Sequence, residues 1–74
     1  MRTVIEILAV VFEVKSSTLS NKDNRRTIPQ WDSMADIHLI LELEENFDVE
    51  IKPGEFSELK SIADIENYIQ QLIK

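Results

Sequence analysis

Apolar residues in three stretches of this chain recur at intervals of three and four, a spacing that restricts it to packed helices. Ile62, Ile65, Ile69, Leu72 and Ile73 give one face of a closing helix that starts at Ser61, where Asp64 three residues on makes a variant of the capping box. Leu39, Ile40, Leu43 and Phe47 fall within an arc roughly 100° wide on a second helix, over about residues 33 to 46. Residues 3 to 14 form a first helix despite their β-branched content. Arg2, Glu6, Ala9 and Glu13 mark its polar or small stripe, and Val4, Ile7, Leu8, Val11 and Phe12 fill the opposite side. Residues 15 to 30, "KSSTLSNKDNRRTIPQ", show no period and read as a long loop pinned to the core by Leu19 and Ile28. Loops of that length are uncommon in compact domains and tend to be functional or mobile. "FDVEIKPG" breaks the second helix at a Pro53-Gly54 turn, and "GEFSEL" supplies one short helical turn. The expected fold is therefore all-α: a four-helix bundle of three longer helices and one short one, with a long first loop. Residues 1 to 74 make a single domain.

Composition removes several classes of function. The chain has no cysteine and one histidine, so it has no disulfide scaffold, no Cys-based zinc site and no thiol of its own. The acid spacing offers no calcium-binding loop. The apolar run "VIEILAVVFEV" is too short, and too interrupted by Glu6 and Glu13, to span a membrane. No small-residue cleavage site follows it, which argues against a signal peptide; a cytosolic protein without membrane insertion is expected. Formal net charge is −6, unevenly spread. Residues 30 to 59 hold nine acids against one base, Lys52, whereas Lys15, Lys22, Arg25 and Arg26 face one acid, Asp23, in the preceding loop. Such an acidic face repels nucleic acid and steers basic protein partners toward itself.

The second helix carries more apolar surface than one core needs. Met34, Ile37 and Leu41 form a second stripe, centred roughly 130° from the core stripe. Either this helix is buried on two sides, or the stripe is an exposed docking strip with an acidic rim at Glu44, Glu45 and Asp48. The strip begins one residue after Ser33, at the helix start, where Asp32 or Ser33 caps the free backbone N–H groups. A hydroxyl there is well placed to carry a phosphate ester, because the free N–H groups and the helix dipole favour an anion. No general base and oxyanion arrangement accompanies it, so Ser33 reads as an attachment point rather than a nucleophile, and no enzyme activity is expected. Trp31 reads as a packing anchor for the loop, His38 as a solvated or rim residue, Glu42 and Glu50 as solvated charges, and Asp36 as a helix cap. Lys22, Arg25 and Arg26 either solvate the loop or belong to a partner surface.

The motif "DSM" at residues 32 to 34, followed by "LILELEENFDVEI" at 39 to 51, resembles the acyl carrier protein family. The resemblance runs across nearly the whole chain, to the closing "IADIENYI". It implies that Ser33 receives a 4′-phosphopantetheine arm from coenzyme A through a phosphopantetheinyl transferase. The arm's thiol would then carry acyl groups as thioesters to pathway enzymes. It also implies that Asp32, Met34, Ile37, Leu41, Glu44 and Glu45 present the helix to enzymes with basic surfaces, the carrier acting as a monomer. Met34 stands where the family usually has leucine, and His38 where fatty-acid-type carriers place a glutamate. With Trp31, these departures resemble carriers of specialised pathways. Two other readings stay open: an aminoacyl or peptidyl carrier, and a helical adaptor in which Ser33 is only a helix cap.

Overall fold

The computed structural model describes residues 3 to 73, so Arg2, assigned above to the polar stripe, lies outside the described residues. Helix α1 spans Val4–Phe12, α2 Ser33–Phe47, α3 Pro53–Phe56 and α4 Ile62–Leu72, with a 3₁₀ turn at Ser16–Thr18. No helix of the described residues is long and apolar enough to cross a membrane. The four-helix all-α architecture read from the sequence is the one observed.

Each long helix starts on a side-chain cap. Thr3 Oγ1 accepts from the Glu6 N–H, and Glu6 Oε1 accepts from the Thr3 N–H, closing a capping box on α1. Ser61 and Asp64 make the same reciprocal pair on α4. Helix α1 ends two residues short of the expected span of 3 to 14, because Glu13 turns into the left-handed region at φ 58° and the Val14 N–H reaches back to the Ala9 carbonyl. Asp48 ends α2 in the same conformation.

The core gathers Val4, Ile7, Leu8 and Phe12 from α1 and Ala35, Leu39 and Leu43 from α2. Ile51 and Phe56 join them, with Ile62, Ile65 and Ile69 from α4. Three expectations need correction. Ala9, placed on the polar or small stripe, is buried; its methyl group fills space at the core edge without needing more. Ile40 and Phe47 of the core stripe are only half-buried. Ile73 is exposed, because α4 ends at Leu72 and the chain leaves the packed face.

The first loop is docked rather than free. Ile28 is buried and Leu19 packs half-buried against the core, as their apolar character required. The loop also supplies the acceptors that the start of α4 lacks: the Ile62 N–H donates to the Asp23 carbonyl at 2.9 Å and the Ala63 N–H to the Asn21 carbonyl at 3.1 Å. The Arg25 N–H returns a bond to the Lys60 carbonyl at 3.1 Å. Helix α3 is tied to α4 by Tyr68 Oη, which donates to Glu55 Oε1 at 2.8 Å. Burial, and secondarily the Glu55 carboxylate, push the Tyr68 phenol above its ordinary value of 10.0. The neutral, donating phenol is thus the form the fold favours. Its contribution is complete below the unfolded-state pKa and fades as pH rises through the higher folded-state value.

A non-glycine residue in the left-handed region costs about 1–2 kcal/mol, part of which glycine gives back as lost backbone entropy. Glu13→Gly is therefore expected to stabilise the protein by about 0.5–1 kcal/mol. Thermal melting would show this as a rise of a few degrees in Tm; a fall would show that the Glu13 side chain contributes more than its backbone costs.

Candidate functional site

The site is built around the first turn of α2. Asp32 is the N-cap: its Oδ1 accepts from the Ala35 N–H at 2.9 Å, and its carbonyl accepts from the Asp36 N–H at 3.0 Å. Ser33 is therefore the first residue inside the helix, exposed, with a hydroxyl free of capping duty. The adaptor reading in which Ser33 serves only as a helix cap loses its premise here. The N–H groups of Ser33 and Met34 lie too early in the helix for an intrahelical acceptor, and none is supplied by other described residues. The first turn of α4 is different, since the loop and Ser61 satisfy its donors. At α2 the hydroxyl and two free donors share one exposed turn, which suits a phosphate ester on Ser33 Oγ.

Beyond Ser33, the second apolar stripe is open to solvent. Met34 is 75% exposed, Ile37 60% and Leu41 59%, whereas Leu39 and Leu43 on the opposite side are fully buried. This excludes the reading of α2 as a helix buried on two sides. The open strip continues across a groove of about 370 Å³ to Val10 and Val11 of α1, with Glu13, His38 and Glu42 at its edges. Glu45 and Asp48 are exposed, and Glu42 half-buried. Glu44 is not a free rim charge: it is half-buried and its Oε2 accepts from the Ile51 N–H at 2.8 Å, fixing the chain that leaves α2.

Behind the turn lies a polar cluster that pattern reading did not find. Asp36, read above as a helix cap, is buried and caps nothing with its side chain. Its Oδ1 accepts from Trp31 Nε1–H at 2.9 Å and its Oδ2 from Arg25 Nη1 at 3.1 Å. Arg25 also donates through Nε to the Leu59 carbonyl at 2.7 Å and through Nη2 to the Phe56 carbonyl at 3.4 Å, and its Cζ lies 4.6 Å from the Trp31 ring centroid. Trp31 is the expected packing anchor, buried with its ring centroid 6.1 Å from that of Phe12. Arg25 is thus bonded within the fold rather than left to solvate the loop. Two signals in the sequence pointed this way, an acid on the core side of an amphipathic helix and a lone tryptophan just before it. Neither names the arginine, which stands 11 residues from Asp36.

Residues 31–69 match the family model described as the phosphopantetheine attachment site. The acyl carrier protein of Campylobacter curvus is 49% identical over 43 residues, covering 58% of this chain and 56% of that protein. That of Akkermansia muciniphila is 39% identical over 41 residues, covering 55% and 51%. The matched stretch thus spans about half the length of these curated relatives. The solution structure of a holo acyl carrier protein from Geobacter metallireducens superposes with a TM-score of 0.81 at 26% identity, over 95% of this chain and 80% of that one.

Because Asp32 holds the cap, Ser33→Ala is expected to change stability by no more than about 0.5 kcal/mol. Asp32→Ala is expected to cost about 0.5–2 kcal/mol. Urea unfolding of the two variants checks the order, and a larger loss at Ser33 would reassign the cap.

Proposed function

The chain belongs to the phosphopantetheine attachment-site family, whose members carry a covalently attached 4′-phosphopantetheine group, and from that premise we propose that Ser33 is the attachment residue of a single carrier domain. The observation that carries this reading is the first turn of α2, with its exposed hydroxyl beside two unpaired N–H groups and its capping done by Asp32. In the loading reaction, Ser33 Oγ forms a bond to the phosphorus bearing the pantetheine arm of coenzyme A. The phosphorus–oxygen bond to the rest of the pyrophosphate breaks, and adenosine 3′,5′-bisphosphate leaves. The hydroxyl proton passes to a base on the transferase. The bound group supplies the thiol that a cysteine-free chain lacks. So loaded, the thiol would carry acyl groups between enzymes, while this chain itself catalyses no reaction.

The exposed strip Met34, Ile37 and Leu41, with Asp32, Glu44 and Glu45 on its rim, is the surface that the transferase and acyl-processing enzymes meet. Apolar contact along the strip supplies adhesion, and the acids steer basic surfaces to it. Of the three acids, Glu45 is the freest to meet a partner, because Asp32 and Glu44 already hold backbone N–H groups. His38 leaves the strip one acid poorer than a fatty-acid-type carrier would be, which suits partners from a more specialised route.

Incubation with coenzyme A and a broad phosphopantetheinyl transferase is expected to raise the intact mass by one arm, and Ser33→Ala is expected to gain nothing. Labelled Ser33→Ala would show that the arm sits elsewhere. Glu45→Lys is expected to slow loading at low salt and flatten its salt dependence, with stability changed by less than about 1 kcal/mol. Loading rates measured from low to high ionic strength check it, and superimposable curves would remove Glu45 from the docking rim.

A further inference from the structure

We infer that Arg25, Trp31 and Asp36 are positioning residues for the transfer of the arm to Ser33, an inference that rests on Ser33 being the attachment site. Trp31 stands two residues before Ser33 and Asp36 three residues after it. The Nε1–H to Oδ1 bond between them, 2.9 Å long, closes residues 31 to 36 into a ring with Ser33 on its outer arc. Asp32 braces the same ring from inside, through its bonds to the Ala35 and Asp36 N–H groups. Ser33 makes no side-chain hydrogen bond to other described residues, so the ring sets where its backbone and Cβ stand, and with them the positions its Oγ can reach. Arg25 then fixes the ring to the body of the protein. Its guanidinium holds the second oxygen of Asp36, lies against the Trp31 face, and reaches the carbonyls of Phe56, at the end of α3, and of Leu59, just after it. Direct attack on phosphorus demands a defined line of approach, and a displacement of about 1 Å can cost on the order of 100-fold in rate. A side-chain ring spanning six residues of sequence, one of them the attachment serine, is a device for holding that line.

Three properties separate positioning from general support of the fold. The bonded side chains of the ring, Trp31 and Asp36, are buried, whereas Met34, Ile37 and Leu41 of the proposed docking strip are exposed, so losing the bond leaves the apolar docking surface in place. Trp31→Phe keeps an aromatic ring against Phe12 while removing the Nε1–H bond and part of the face on which Arg25 stacks. Arg25→Lys keeps the charge and loses the fork that reaches Asp36 and the two carbonyls together.

The test compares wild type with Trp31→Phe and Arg25→Lys, in transferase loading kinetics and in amide hydrogen exchange. For both variants, kcat for loading is expected to fall about tenfold, with KM for the carrier within about twofold of wild type. In the unloaded protein, exchange at the Ala35 and Asp36 amides is expected to quicken about tenfold, with Ile69 in the middle of α4 unchanged. An unchanged kcat in either variant overturns the inference. So does equal quickening at Ile69, which would make the cluster a plain stability element. Wild type is read first: if it accepts no arm, the attachment assignment fails, and the exchange data still decide whether the ring orders the turn.

Discussion

The contact on which the rest of this structure depends is the carboxylate of Asp36 shared between the Trp31 indole and the Arg25 guanidinium. It joins three stretches of chain with no local reason to meet: the polar first loop, the start of α2, and the link from α3 to α4. Bundle helices can slide and rotate against one another with little change in buried apolar area. A two-oxygen acceptor with two directional donors narrows their relative placement further. The stacking of Arg25 on Trp31 adds about 0.5–2 kcal/mol of attraction to the geometry it imposes. The cluster's main effect is nonetheless specification rather than net stability. Withdrawing an ion pair from water costs much of what the pair returns, while losing one partner strands the other.

That placement explains why a 16-residue polar loop can be ordered in a 74-residue chain. The loop is held at one end by Ile28 in the core and along its middle by backbone bonds to the start of α4. It works as a connector that supplies what neighbouring elements lack. Helix α4 gains acceptors for its first N–H groups, and α2 gains a counter-charge for a buried acid. Charge on the two sides of the molecule follows from this arrangement. One of the loop's cations is consumed inside the fold, while Glu45, Asp48, Glu50 and Glu58 stay exposed.

Legibility in the sequence followed the range of the interactions. Apolar period and capping are local, so the helices and the Ser61–Asp64 box could be read directly, as could the open stripe at Met34, Ile37 and Leu41 once a second arc appeared on α2. Helix ends were less legible. Nothing in "FEVK" marks Glu13 as the residue that turns left-handed, since glycine or asparagine usually takes that role. Long-range polar pairing was not legible at all. Arg25 reaches partners 11, 31 and 34 residues away, and before the fold is known a loop arginine looks the same whether it is solvated or buried. Glu44 misled for a related reason: on a helical wheel it belongs to the rim, but the chain leaving α2 doubles back and places the Ile51 N–H against it. For Ser33 and Asp32, the pattern left open which one capped, and backbone geometry decided it.

Trp31 is the chain's one indole and Tyr68 its one phenol, and they sit at different joints of the molecule. The indole, clasped between a guanidinium and a carboxylate, stands two residues before Ser33. The phenol spans α3 and α4. Unlabelled protein thus contains two separate optical reporters, one beside the serine and one between α3 and α4. Emission excited at the red edge of the absorption band comes from the indole alone, so the environment of the Ser33 turn can be followed in real time without adding a dye to so small a surface.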